Sequence, residues 1–137
     1  MSDNCAFVLK IVADNWNGVI CNEEEISSPT HADVVRVIDE LNAKTRTMVS
    51  LYGDNNNYLT IGGGTGQYIV YASIKGKLWN LFSDEDEQMQ VVNLNAGGQE
   101  GEFSKKQVVD KQRALHAAQL FFSKGLLGDD VPWEKQD

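Results

Sequence analysis

The middle of the chain, residues 47–94, most constrains what it can fold into. Short runs rich in β-branched and aromatic residues lie at 47–52, 58–61, 67–74, 77–82 and 89–94. They are separated by Asp54-Asn55-Asn56-Asn57, Gly62-Gly63-Gly64, Lys75-Gly76 and the stretch 83–87. β-Branched and aromatic side chains suit the pleated surface of a sheet, while Gly, Asn and Asp supply tight turns. A parallel pair needs a crossover of a dozen or more residues, and most of these gaps are shorter, so the region reads as an antiparallel meander.

The flanks complete the outline. Residues 6–13 read as a strand that the turn formers Asp14-Asn15-Trp16-Asn17-Gly18 reverse into a short second strand at 19–21. Ser28-Pro29-Thr30-His31-Ala32-Asp33 carries helix-start chemistry, and Val34, Ile38 and Leu41 follow at helical spacing, predicting an amphipathic helix over 29–43. Ser104-Lys105-Lys106-Gln107 has the form of a capping box. Val108, Leu115, Ala118 and Phe122, with Phe121 beside them, then mark one face of a helix that Gly125 stops, while Lys105, Lys106, Lys111, Arg113 and Lys124 mostly face water. A helix of about 20 residues would run ~30 Å across the sheet. The expected fold is α+β: an antiparallel sheet of about five to seven strands with two helices packed on one face. A chain of 137 residues is expected to form one domain, 1–137, and no repeat, low-complexity tract or linker divides it.

Charge narrows the function. Twelve Lys and Arg against 20 Asp and Glu leave a formal net charge of −8, which argues against a general affinity for nucleic acid or anionic membranes and for a basic partner. The acids are clustered. Asp84, Glu85, Asp86, Glu87, Glu100 and Glu102 lie between Leu78 and Ser104, and Asp14, Glu23, Glu24, Glu25 and Asp33 between Ile11 and Val35, with no Lys or Arg in either stretch. Charge runs are commonly just solvated loops. Two of them make a binding face the sharper reading.

The N-terminus carries no basic segment before the apolar run 6–11, which Lys10 interrupts, so no secretory signal or spanning helix is expected and the expected location is the cytoplasm. Cys5 and Cys21 read as semi-buried free thiols. With two cysteines and the distant His31 and His116, no zinc-ligand spacing exists, and neither a metal nor a cofactor is expected.

Gly62-Gly63-Gly64-Thr65-Gly66 invites a phosphate-loop reading, but a strand-like run follows it where a nucleotide loop needs a helix, which favours a flexible hairpin loop or bulge. His31 and His116 have the residue type of a general base without a recognisable nucleophile motif nearby, and read as surface or helix-flanking residues. Asp84-Glu85-Asp86-Glu87 lacks the glycine and terminal glutamate of an ordered calcium loop. Trp16, Trp79 and Trp133 are large enough for core or interface, with core burial expected of at least two.

The end of the chain is its most distinctive feature: Ala117, Ala118, Phe121 and Phe122 in the last helix, Gly125 at its stop, then Trp133-Glu134. This arrangement resembles immunity-protein family one of bacterial polymorphic toxin systems. Trp16-Asn17-Gly18, Leu59-Thr60-Ile61-Gly62-Gly63 and Gly97-Gly98 are also similar, and the order of elements agrees over nearly the whole chain. The resemblance implies an α+β protein that is not an enzyme and that binds a cognate secreted or contact-delivered toxin, often a nuclease or nucleic-acid deaminase. The matching residues are expected to maintain the fold. An acidic surface would occlude the basic groove of such a toxin and gain electrostatic steering. The candidate contacts are Asp84, Glu85, Asp86 and Glu87, then Glu23, Glu24 and Glu25, then Glu100 and Glu102, with Trp79, Tyr58 or Tyr52 as buried anchors; a monomer is expected. Two other classes compete: a small-ligand or nucleotide-binding regulatory domain using Gly62 to Gly66, and a hydrolase using His116 with a nearby carboxylate.

Overall fold

The computed structural model describes residues 8–82, 91–125, 127 and 133–135. In chain order it contains β1 (Lys10–Asn17), β2 (Ile20–Ser27), α1 (His31–Asp39), β3 (Met48–Tyr52), β4 (Tyr58–Gly64), β5 (Gln67–Ile74), β6 (Lys77–Leu81), β7 (Val91–Ala96), β8 (Gln99–Ser104), α2 (Lys111–Lys124) and β9 (Trp133–Lys135). Seven strands form one antiparallel sheet in the order β2-β1-β3-β4-β5-β6-β9, and β7 and β8 form a separate hairpin. The fold is α+β. The expected meander is β3-β4-β5-β6, but the described part of the run at 89–94, residues 91–94, does not continue it and pairs instead with β8, a strand absent from the sequence-based expectation.

The first hairpin is longer than expected and turns later. Asp14, Asn15 and Trp16 continue β1 to Asn17, and the reversal falls at Gly18-Val19. The reason is where the Asp14 carboxylate goes: it accepts from the Thr47 and Met48 backbone N–H groups at 2.7 and 3.0 Å, so it ties β1 to the start of β3 instead of folding back on its own backbone. Glu23, Glu24 and Glu25 consequently lie inside β2, not in a loop. Cys21 pairs across to Trp16 and is exposed rather than semi-buried; Cys5 lies outside the described residues.

Both helices are shorter than their sequence patterns. Thr30 caps α1 in a capping box with Asp33, and the helix stops at Asp39 because the Asn42 side chain then gathers the N–H groups of Lys44, Thr45 and Arg46 into a loop. Ser104 caps only a single 3-10 turn, Lys105–Gln107. Val109 is then held extended by two hydrogen bonds with Tyr68, at 2.8 and 2.9 Å, so α2 begins after Asp110, whose side chain accepts from the Arg113 N–H. Its 14 residues span ~21 Å.

The core lies between the helices and one face of the sheet. Ile11, Leu51, Leu59 and Ala72 are cross-strand neighbours, as are Ala13, Val49, Ile61 and Val70, and all are buried beneath Val34, Val37 and Ile38 of α1 and Ala114, Ala117, Ala118, Phe121 and Phe122 of α2. The paired phenylalanines that stand out in the sequence are thus core residues. Trp133 packs on the same core at the β9 edge, and its indole N–H donates to the Leu127 carbonyl at 2.6 Å. None of the three tryptophans is fully buried, a correction to the expected burial of two.

Candidate functional site

Alternation along the strands puts a second set of side chains on the face without helices. From β1 these are Lys10, Val12, Asp14 and Trp16; Cys21, Glu23 and Glu25 of β2 flank them on one side, and Met48, Ser50 and Tyr52 of β3 on the other. Beyond lie Tyr58 and Thr60 of β4 and Tyr71 of β5. Tyr52 and Tyr58 pack with ring centroids 5.9 Å apart, and the Lys10 ammonium sits 5.4 Å from the Tyr52 ring centre. The hydroxyls of Ser50 and Thr60 are hydrogen-bonded at 2.9 Å. Burial pushes the Tyr71 phenol above its ordinary value, against a hydrogen bond with Thr60 that lowers it, and the neighbouring Tyr58 and Tyr52 add to the rise.

The β7–β8 hairpin docks on this face, and close backbone approaches hold it there. A Cβ on Gly62 would stand 2.6 Å from the Ala96 Cβ. A Cβ on Gly98, at φ +84°, would enter the Trp16 ring. One buried hydroxyl links three segments: Thr47 Oγ1 donates to Asp14 and accepts from the Gly98 N–H at 3.0 Å. The Trp16 indole N–H donates to the same Asp14 carboxylate oxygen, Oδ2, at 2.8 Å. Trp16, Gly62 and the Gly97-Gly98 pair, far apart in sequence, therefore meet where the hairpin docks.

Two pockets of about 220 Å³ each flank the docked hairpin. One, at its tip, is lined by Val12, Asp14, Trp16, Cys21, Glu23, Met48, Ser50, Tyr52 and Gly97. The other, at its base, is lined by Ile69, Val70, Tyr71, Asn80, Phe103 and Gln107.

The sequence-predicted contacts divide. Glu23 and Glu25 are exposed on the helix-free face, with Tyr52 and Tyr58 on the same side. Glu100 and Glu102 pair with Asn95 and Asn93, on the opposite side of the hairpin from sheet-facing Ala96, and are exposed. Glu24 points to the other face of the sheet, where Arg46 at 2.8 Å and Arg36 at 3.1 Å bind it. The hydrogen bond from Arg46, followed by that from Arg36, holds the Glu24 carboxyl below its usual range despite partial burial. The same pairing raises Arg36, with Glu24 first and Glu40 second. Trp79 pairs with buried Ala72 and so belongs to the helix side, apart from Tyr58. Asp84, Glu85, Asp86 and Glu87 lie outside the described residues.

Asp14, Cys21 and Tyr71 were not among the contacts expected from the sequence. Their signal was the i, i+2 partner set of the core residues: Lys10, Val12, Asp14 and Trp16 interleave Ile11 and Ala13.

The glycine run is strand, not loop: Gly62, Gly63 and Gly64 are buried in β4, and the Gly63 N–H donates to the Thr47 carbonyl at 3.0 Å. Its amides serve the sheet rather than an anion. His31 bridges the helices, with Nε2 3.0 Å from Ser123 Oγ and its ring edge-on to Phe122 at 4.6 Å; His116 is part-buried within α2. Among the described residues no group of three or more His, Cys, Asp or Glu side chains is placed to hold a metal ion, and no helix is long and apolar enough to cross a membrane.

Fold and site together define a small α+β protein with helices on one sheet face and, on the other, tyrosines and exposed carboxylates around a docked hairpin. The profile of the immunity protein Imm1 family matches residues 22–135, a span that takes in both helices, the hairpin and the sheet apart from β1 and the first residues of β2. The chain belongs to that family. No match to a curated protein accompanies it.

Proposed function

We propose that this protein neutralises a cognate bacterial toxin, without catalysis of its own, by seating the toxin on the helix-free face of its sheet. The observation that carries this reading is the placement of Glu23, Glu25, Glu100 and Glu102 on the side away from the helices, around the tyrosines of the bare sheet. A nuclease or deaminase domain with a basic substrate groove is the partner that suits such a surface, and the acidic charge speeds the encounter. Exposed ion pairs contribute under about 1 kcal/mol each, so tight inhibition also needs desolvated anchors, which Tyr52 and Tyr58 supply. Asp84, Glu85, Asp86 and Glu87 extend the proposed contact set; Glu24 and Trp79 leave it, because one is neutralised and both point elsewhere. The protein acts in the cytoplasm as a monomer on this reading.

The test is binding to, and protection from, the toxin domain encoded beside this gene. Reversing Glu23, Glu25, Glu100 and Glu102 to Lys together slows association and abolishes protection while thermal unfolding stays cooperative. Undiminished inhibition by that variant rejects the face. A Glu24→Gln variant retains inhibition, because its charge is spent on Arg36 and Arg46.

A further inference from the structure

The pocket at the tip of the β7–β8 hairpin carries a more specific assignment, which rests on the toxin-binding reading of this face. Asp14 and Glu23 both line it and stand directly opposite each other in the β1–β2 ladder. Like charges so placed destabilise an antiparallel pair. Asp14 is held at the pocket by the Trp16 indole, the Thr47 hydroxyl and the N–H groups of Thr47 and Met48, all of them neutral donors. Its charge is hydrogen-bonded but not cancelled. Glu23 is exposed and has no ion pair among the described residues. The guanidinium groups of Arg36 and Arg46 are taken by Glu24, the next residue along β2, on the opposite face. Lys10, the only basic residue in β1 to β5, lies over the Tyr52 ring.

The rest of the lining tells which cation fits. Trp16, Tyr52 and Met48 give the pocket aromatic and thioether walls. A guanidinium is weakly hydrated and planar, stacks on electron-rich aromatic faces and donates a two-pronged hydrogen bond to a carboxylate. An ammonium is a compact, strongly hydrated point charge that uses such walls less well. A volume of about 220 Å³ accommodates one long side chain, not a folded segment. We propose that this pocket receives a single arginine side chain of the toxin, with Glu23 accepting its guanidinium N–H groups and Trp16 and Tyr52 flanking its plane.

Two measurements test this. In the first, isotope-labelled protein is titrated with Nα-acetylarginine amide and with its neutral isostere Nα-acetylcitrulline amide. The arginine derivative shifts the Trp16 indole and the Cys21 and Glu23 amide resonances saturably, the citrulline derivative does not, and Glu23→Gln weakens the arginine response about tenfold. Equal responses to the two compounds, no response to either, or an undiminished response in Glu23→Gln overturns the proposal. In the second, affinity for the toxin encoded beside the gene falls about tenfold in Glu23→Gln but about threefold or less in Glu25→Gln, whose residue is outside the pocket lining. Equal losses in the two variants overturn the arginine pocket and leave toxin binding standing. Failure of the unaltered protein to bind the toxin sinks the immunity reading instead, and the arginine titration then decides the pocket alone.

Discussion

Docking of the β7–β8 hairpin on the sheet can be tested by exchanging one methyl group across the contact. In Gly62→Ala the new Cβ would lie 2.6 Å from the Ala96 Cβ, about 1 Å inside a normal carbon–carbon contact. The hairpin must lift or the sheet must yield, and overpacking of this kind costs about 1–3 kcal/mol. Ala96→Gly alone costs about 0.5–1 kcal/mol, from the added backbone freedom of a strand glycine. In the double variant the methyl introduced at position 62 meets the Cα at position 96 at 3.6 Å, an ordinary contact, so the clash disappears and only the strand-glycine cost remains. The two changes should therefore be non-additive by about 1–3 kcal/mol in the stabilising direction. For a chain of this size each kcal/mol moves the unfolding midpoint by roughly 3–5 °C, so the cycle is measurable by thermal scans and urea titrations of the four proteins. Additivity within about 0.5 kcal/mol would refute the contact and, with it, the position of the hairpin on this face.

Three further outcomes follow from the geometry. Thr47→Val keeps the shape of a fully buried side chain but strands the Gly98 N–H and removes a donor from Asp14, so it should cost about 2–3 kcal/mol by urea unfolding; a loss near zero would show that the hydroxyl does not join the three segments. Because Arg46 and Arg36 depress the Glu24 carboxyl in the folded state, its stabilisation is present above about pH 4.5 and is lost as pH falls through the depressed folded value. At one-third exposure this amounts to about 1 kcal/mol or less, so the stability gap between the protein and Glu24→Gln should close in acid and shrink in high salt, and a gap indifferent to pH would contradict the pairing. Asp110→Ala should cost about 1 kcal/mol through loss of the α2 cap, whereas Ser104→Ala touches only the 3-10 turn and should cost clearly less; the reverse order would place the helix start at Ser104.

Much of this protein was legible locally. The strands β3 to β6 follow from β-branched and aromatic runs with short turns between them, because a chain that reverses within a few residues can only pair antiparallel. The termination of α2 at Gly125 and the apolar residues Ala118, Phe121 and Phe122 were equally readable, since helix periodicity and the cap are properties of consecutive residues. Of two less regular strands, only the start of β2, at 19–21, was readable, and β8 was not. β2 carries Glu23, Glu24 and Glu25 in succession, and β8 reads Gln-Glu-Gly-Glu-Phe-Ser, so neither shows the apolar alternation that marks a half-buried strand.

The sequence by itself determined which residues alternate and where the chain turns; the tertiary structure alone decided which face of each strand the helices cover. Alternation puts Glu23 and Glu24 on opposite faces without saying which is free, and only the packing of α1 beside Arg46 makes Glu24 the neutralised one. The same holds for Trp79 and Tyr58, which the chain presents alike and the sheet sends to opposite sides. Trp16, Asp14, Thr47, Gly62 and Gly98 meet through close approaches and one shared hydroxyl, and that hydroxyl alone joins residues 51 positions apart. No local pattern encodes such a junction, because its energy comes from contacts that exist only once the sheet has formed.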